Sequence, residues 1–152
     1  MDVRSHVPAL LGILGSKVAL HAARLSARKF GMDLTEWRVV QILGSEGRSS
    51  ILNVAKLMSK DPGGVSRSVA RLEDRGFISR QGDVSDRRKS FVDLTEDGAA
   101  FYEKISRFAL EREERLLRHL APAERSELRR LLKTLIDEAD RMLEEGQANR
   151  PV

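Results

Sequence analysis

Between Asp61 and Leu94 the chain changes its hydrophobic period. Val65, Val69 and Leu72 stand at helical spacing and lead to Gly76, after which Phe77-Ile78-Ser79-Arg80 and Ser90-Phe91-Val92-Asp93-Leu94 are short runs rich in β-branched and aromatic residues. A polar stretch from Gln81 to Lys89 separates the two runs. The pattern predicts a helix that feeds directly into a two-stranded hairpin with a long charged tip.

The remaining periodicity is helical. Val7, Leu11, Leu14, Val18 and Leu25, with Leu10 and Ala22 beside them, line one face of a first helix that ends near Phe30-Gly31. Asp33 offers an N-cap and Glu36 completes a capping box, which starts a second helix through Trp37, Val40, Ile42 and Leu43. Ser50, Leu52, Val54, Ala55, Leu57 and Met58 predict a third helix of about two turns. Asp61-Pro62 starts a fourth, since aspartate caps free amides and proline is preorganised at the first helical position. Thr95, Glu96 and Asp97 open a fifth helix carrying Phe101, Ile105, Phe108, Leu116 and Leu120, which Pro122 breaks. The last helix bears Leu128, Leu131, Leu132, Leu135, Ile136, Ala139, Met142 and Leu143 on an otherwise Glu/Arg-rich rod. The expected fold is mostly α, in the α+β sense: a helix-turn-helix pair at residues 50–75 and a hairpin placed as a wing would be.

Composition narrows what such a fold does. The chain has 152 residues, enough for one compact domain with a real core. It has no cysteine, which removes disulfides, thiolate metal sites and cysteine nucleophiles together. Its three histidines, His6, His21 and His119, are scattered singly, so no catalytic or metal-ligating cluster is expected and no cofactor is implied. No apolar run approaches the length of a membrane span and no export signal is evident, which makes the cytoplasm the expected location. A net charge of +4 and a pI near 9.8 favour polyanionic partners.

Three segments together resemble the MarR family of bacterial transcription regulators. They are Leu34-Thr35-Glu36-Trp37-Arg38-Val39; Val65-Ser66-Arg67 followed by Arg71-Leu72-Glu73-Asp74-Arg75-Gly76-Phe77-Ile78; and Asp86-Arg87-Arg88-Lys89 followed by Leu94-Thr95-Glu96-Asp97-Gly98. They keep order and spacing across residues 34–98. The resemblance implies a homodimeric winged helix-turn-helix protein that binds a pseudo-palindromic double-stranded DNA operator, as a repressor, and is released by a small ligand. It implies a single MarR-type domain over residues 1–152, with an N-terminal dimerisation helix in 1–32, a DNA-binding lobe in 33–98 and C-terminal dimerisation helices in 99–152.

Residue roles follow. In a helix-turn-helix the second helix enters the major groove with its N-terminal residues nearest the bases, so residues 61–71 should face DNA. Ser66 can donate to phosphate or base, and Arg67 can bind a guanine edge bidentately or clamp a phosphate. Arg71, one turn on, suits backbone contact better than base contact. Gly63 and Gly64 depart from the hydroxyl residues commoner here in the family; close approach of their amides to phosphate and a merely loosened first turn both fit. In the wing, the family's Asp-x-Arg pattern gives Arg88 a minor-groove role and makes Asp86 its buttress, with Arg87 and Lys89 as phosphate contacts. The family's effector crevice near the second helix implicates Trp37 and Arg38, an aromatic beside a guanidinium that would suit a small aromatic acid or phenol. The plainer alternative makes Trp37 a core residue and Arg38 a structural ion-pair partner. A competing class of function is a helical scaffold whose basic wing binds an acidic protein.

Overall fold

The computed structural model describes residues 2, 4–82 and 90–148. Six helices and three strands run in the order α1 (Val7–Phe30), α2 (Leu34–Glu46), β1 (Ser49–Ser50), α3 (Ile51–Leu57), α4 (Pro62–Asp74), β2 (Ile78–Gly82), β3 (Ser90–Leu94), α5 (Glu96–Leu117) and α6 (Pro122–Ala148). The chain forms two compact units, Met1–Arg107 and Phe108–Val152, divided within α5. Among the described residues no helix is long and apolar enough to cross a membrane.

Local chemistry sets the helix ends in the first unit. Gly31 closes α1 in the left-handed conformation, at φ 59°, and its N–H donates to the Ala27 carbonyl. Asp33 then accepts from the Glu36 N–H at 2.8 Å while Glu36 accepts from the Asp33 N–H at 2.9 Å, the reciprocal capping box expected from the sequence. Ser50 caps α3 through the Asn53 N–H at 3.1 Å, and Asp61 caps α4 through the Gly64 N–H at 2.8 Å.

The small sheet is antiparallel, in the order β1-β3-β2. β2 and β3 pair from Ile78↔Leu94 to Gly82↔Ser90. The expectation of two strands needs one correction: β1 joins the far edge of β3, with Ser49 opposite Val92 and Ser50 opposite Phe91. Two serines carry no period-two apolar signal, and Ser50 doubles as the α3 cap, so the helix start masked the strand.

The core of this unit lies where α2, α3 and α4 meet the sheet. Val39, Val40, Val54, Val65, Val69, Leu72 and Val92 are fully buried, together with Ile105 from α5. Removing such side chains from water is the main favourable term, roughly 1.5–3 kcal/mol for each. Two close approaches fix α5 here. Thr95 Oγ1 donates to the Gly76 carbonyl at 2.6 Å and accepts from the Gly98 N–H at 3.0 Å. A Cβ on Gly98 would stand 2.0 Å from the Phe77 carbonyl oxygen, so only glycine permits that seat.

The second unit is a helical hairpin without a closed core. None of residues 108–145 is buried. The turn before α6 is held by Arg125, which donates to the Leu120 carbonyl at 3.0 Å and to Glu114 at 2.5 and 2.9 Å, and Arg129 pairs with Glu113 at 2.7 Å. Leu131, Leu135, Ile136, Met142 and Leu143 remain exposed along α6.

Candidate nucleic-acid interface

The pair α3–α4 is joined by a tight turn in which Ser59 takes φ 49°, an unusual conformation for a residue other than glycine. Ser59 N–H donates to the Lys56 carbonyl and Lys60 N–H to the Ala55 carbonyl, which closes α3 and redirects the chain into α4. Val65, Ser68, Val69 and Leu72 form the inward face of α4. That spacing leaves Gly63, Arg67 and Arg71 exposed on the opposite side, with Gly64 and Ser66 half-buried at its margin.

The arginines of α4 differ in what they touch. The Arg67 side chain has no hydrogen-bond or ion-pair partner among the described residues. Its guanidinium lies back across the first helical turn: Nη1 and Nη2 sit 3.8 and 3.9 Å from where Cβ atoms on Gly63 and Gly64 would be. Those are ordinary van der Waals distances, so the placement of Arg67 does not itself require glycine at either position. The Gly64 amide is not free for a phosphate, since Asp61 already accepts from it at 2.8 Å.

Arg71 is exposed as well, but its guanidinium is held by neighbouring side chains. Its Nε donates to Glu36 Oε1 at 2.6 Å, and its Nη2 donates to Asp33 Oδ2 at 2.6 Å and to Ser68 Oγ at 3.0 Å. These carboxylates, first of all the hydrogen bond to Glu36, hold its proton more tightly than that of an ordinary arginine. Arg75 donates to the carbonyls of Gly31 at 3.2 Å and Phe30 at 3.0 Å and lies over the Phe77 ring. The sequence placed Arg71 toward DNA and gave Arg75 no role of its own; it did not reveal these long-range partners. The available signal was the acidic pair Asp33 and Glu36, which capping alone accounted for.

Trp37 is a core residue, only 3% exposed. Its ring meets Phe30 at 5.6 Å, Phe30 meets Phe101 edge-on at 5.4 Å, and Phe101 stacks on Phe77 at 4.7 Å. Arg38 beside it is half-buried. The four wing residues singled out from the sequence, Asp86, Arg87, Arg88 and Lys89, lie outside the described residues. Among the described residues no group of His, Cys, Asp or Glu side chains could hold a metal ion.

This geometry agrees with known proteins. Residues 32–90 match the MarR family. A MarR/EmrR family transcriptional regulator from Acinetobacter sp. ADP1 is 34% identical and superposes with a TM-score of 0.83, covering 93% of this chain and 99% of that one. YkoM of Bacillus subtilis, an HTH-type transcriptional regulator, is 28% identical over 76% of this chain and 75% of its own. Bordetella bronchiseptica BpsR, whose DNA binding is regulated by 6-hydroxynicotinic acid, is 26% identical with a TM-score of 0.77, over 90% of this chain and 97% of that one. With a helix-turn-helix pair, a strand pair running out from it and flanking helices in one order, the chain belongs to the MarR family and is a transcriptional regulator, not an enzyme.

Proposed function

We propose that the protein is a cytoplasmic repressor that binds a pseudo-palindromic operator as a homodimer and is released by a small aromatic or phenolic ligand. The observation that carries the reading is the asymmetry of α4: Arg71 and Arg75 are bound to neighbouring elements, while Arg67 stands exposed at the leading end with no protein partner among the described residues. A cation held free at the groove-facing end of a recognition helix suits a guanine edge or a phosphate. Ser66, Gly63 and Gly64 border the same surface, and Asp86, Arg87, Arg88 and Lys89 supply the wing. In this reading residues 33–98 form the DNA-binding lobe, and residues 1–32 and 99–152 join two copies. Repression is the simplest output, because a dimer seated on a promoter excludes polymerase without a second protein surface. The ligand would act near Trp37 and Arg38, an aromatic beside a guanidinium; in the similar protein BpsR, DNA binding is regulated by a small aromatic acid, 6-hydroxynicotinic acid. It releases DNA only if it prefers a conformation with mis-spaced recognition helices.

Selection of bound duplexes from random DNA by the purified protein tests this. The expected product is an inverted repeat with half-sites about one helical turn apart. Recovery of no enriched sequence, or of unpaired sites only, would count against the proposal.

A further inference from the structure

Two guanidiniums one turn apart, that of Arg71 in α4 and that of Arg75 at its C-cap, converge on one short stretch, residues 30–36, where α1 gives way to α2. Arg75 donates to the Phe30 and Gly31 carbonyls at the end of α1, and Arg71 donates to Asp33 and Glu36 at the start of α2. The carboxylates are shared. Asp33 uses Oδ1 for the capping box and Oδ2 for Arg71, while Glu36 uses Oε2 for the box and Oε1 for Arg71. The same four oxygens therefore cap α2 and tether the recognition helix. Glu36 is almost wholly buried, so withdrawal of Arg71 toward a phosphate would leave a carboxylate without its charge partner. The stretch is further pinned by the Phe30 ring, which lies against Trp37 and Phe101.

We infer that Arg71 and Arg75 are positioning residues which fix α4 to the α1–α2 elbow and so set the spacing between half-sites, rather than contacts to DNA. The inference rests on the dimeric operator-binding reading, in which α1 belongs to the arm that joins two copies. A recognition helix tied to the end of α1 inherits its placement from the dimer axis. One base pair of spacing error displaces a half-site by about 3.4 Å along the duplex. It also turns it by about 35° around the axis, at 10–10.5 base pairs per turn. Only a stiff joint enforces such discrimination, and charge-assisted bonds that spread each guanidinium over two residues at the capped helix ends provide stiffness.

The test uses the full-length protein and an operator library in which the wild-type half-site is kept and the spacer varied by up to three base pairs either way. The wild type should favour one spacing by about tenfold or more over its neighbours, the scale of one misplaced base pair. Arg71→Ala/Arg75→Ala should keep the half-site sequence but flatten that preference to within about threefold. Asp33→Asn/Glu36→Gln retains side chains able to cap while removing the charges that hold Arg71, and so keeps the test decisive where the arginine variant does not fold; it should flatten the preference in the same direction. Arg67→Ala should do the reverse, relaxing base preference while leaving spacing sharp. The slope of log affinity against log salt should be unchanged in the Arg71→Ala protein, whereas loss of a phosphate contact lowers it by about one. Unchanged spacing discrimination in both double variants, or a reduced salt slope for Arg71→Ala, overturns the inference. A wild-type protein that selects no paired half-sites overturns instead the dimeric reading beneath it.

Discussion

In Met1–Arg107 the large apolar side chains Met32, Leu43, Leu72 and Ile105 are closed off from water, whereas in Phe108–Val152 Leu110, Leu116, Leu131, Leu135, Ile136, Met142 and Leu143 all lie exposed. The first unit finishes its own core. The second has helices fixed by caps and by arginine–glutamate pairs such as Arg125–Glu114 and Arg130–Glu127, yet exposed pairs of this kind, screened by solvent, add little stability. An apolar row of that size on an otherwise charged rod is the mark of a surface completed by another chain. The N-terminal half of α1 shares the property, with Val7, Leu10, Ile13 and Leu14 exposed, and Leu20, Leu52 and Leu57 of that unit are also left open. On the proposed dimeric reading this contrast is a division of labour, in which the lobe presents α4 and the open helical faces serve assembly.

The largest expected effect comes from charging the open face. Leu135→Glu/Met142→Glu should convert the dimer to monomer in sedimentation equilibrium, with operator affinity falling by about 100-fold or more as the second half-site is lost. Melting of the first unit should hardly change. A double variant that stays dimeric at micromolar concentration would break the comparison, because α6 would then be exposed for some other reason.

Next comes the closed core. Gly98→Ala forces a methyl group against the Phe77 carbonyl, and backbone cannot step aside as a flexible side chain can. We expect a loss of about 1–3 kcal/mol in denaturant unfolding, the usual cost of overpacking. A stability equal to wild type would show that the α5 seat is looser than the geometry implies. A smaller effect, confined to binding, is expected at the wing. Arg88→Ala should weaken operator binding about tenfold at physiological salt, the scale of one lost specific contact, with an unaltered unfolding curve. Unchanged affinity would remove Arg88 from the interface.

Most elements of the fold could be read before any coordinates, because their boundaries are chemical. Asp33 with Glu36, Ser50, Asp61-Pro62 and Thr95 each announce a helix start through their own side chains, and each does so in the structure. β1 was silent because two serines have no hydrophobic period. The seats of Gly98 under Phe77 and of Gly44 against the Tyr102 ring were equally silent, since a glycine in a helix pattern does not say what approaches it. At the candidate site, periodicity correctly put Arg67 and Arg71 on the outer side of α4. It could not tell which arginine has a carboxylate within reach, because Asp33 and Glu36 lie 38 and 35 residues away in sequence. Long side chains choose partners through tertiary distance, which the helical repeat does not encode.

In the proposed reading the molecule recognises a particular DNA sequence as a pair of copies. That recognition is tested most directly by titrating the purified protein, at physiological salt, onto its selected operator and onto an unrelated duplex of equal length, with the mass of each complex measured alongside. Two chains per operator and a preference of about 1,000-fold or more for the operator are expected. Equal affinity for the two duplexes, falling steeply and identically with added salt, would contradict this and leave only a basic surface attracted to a polyanion.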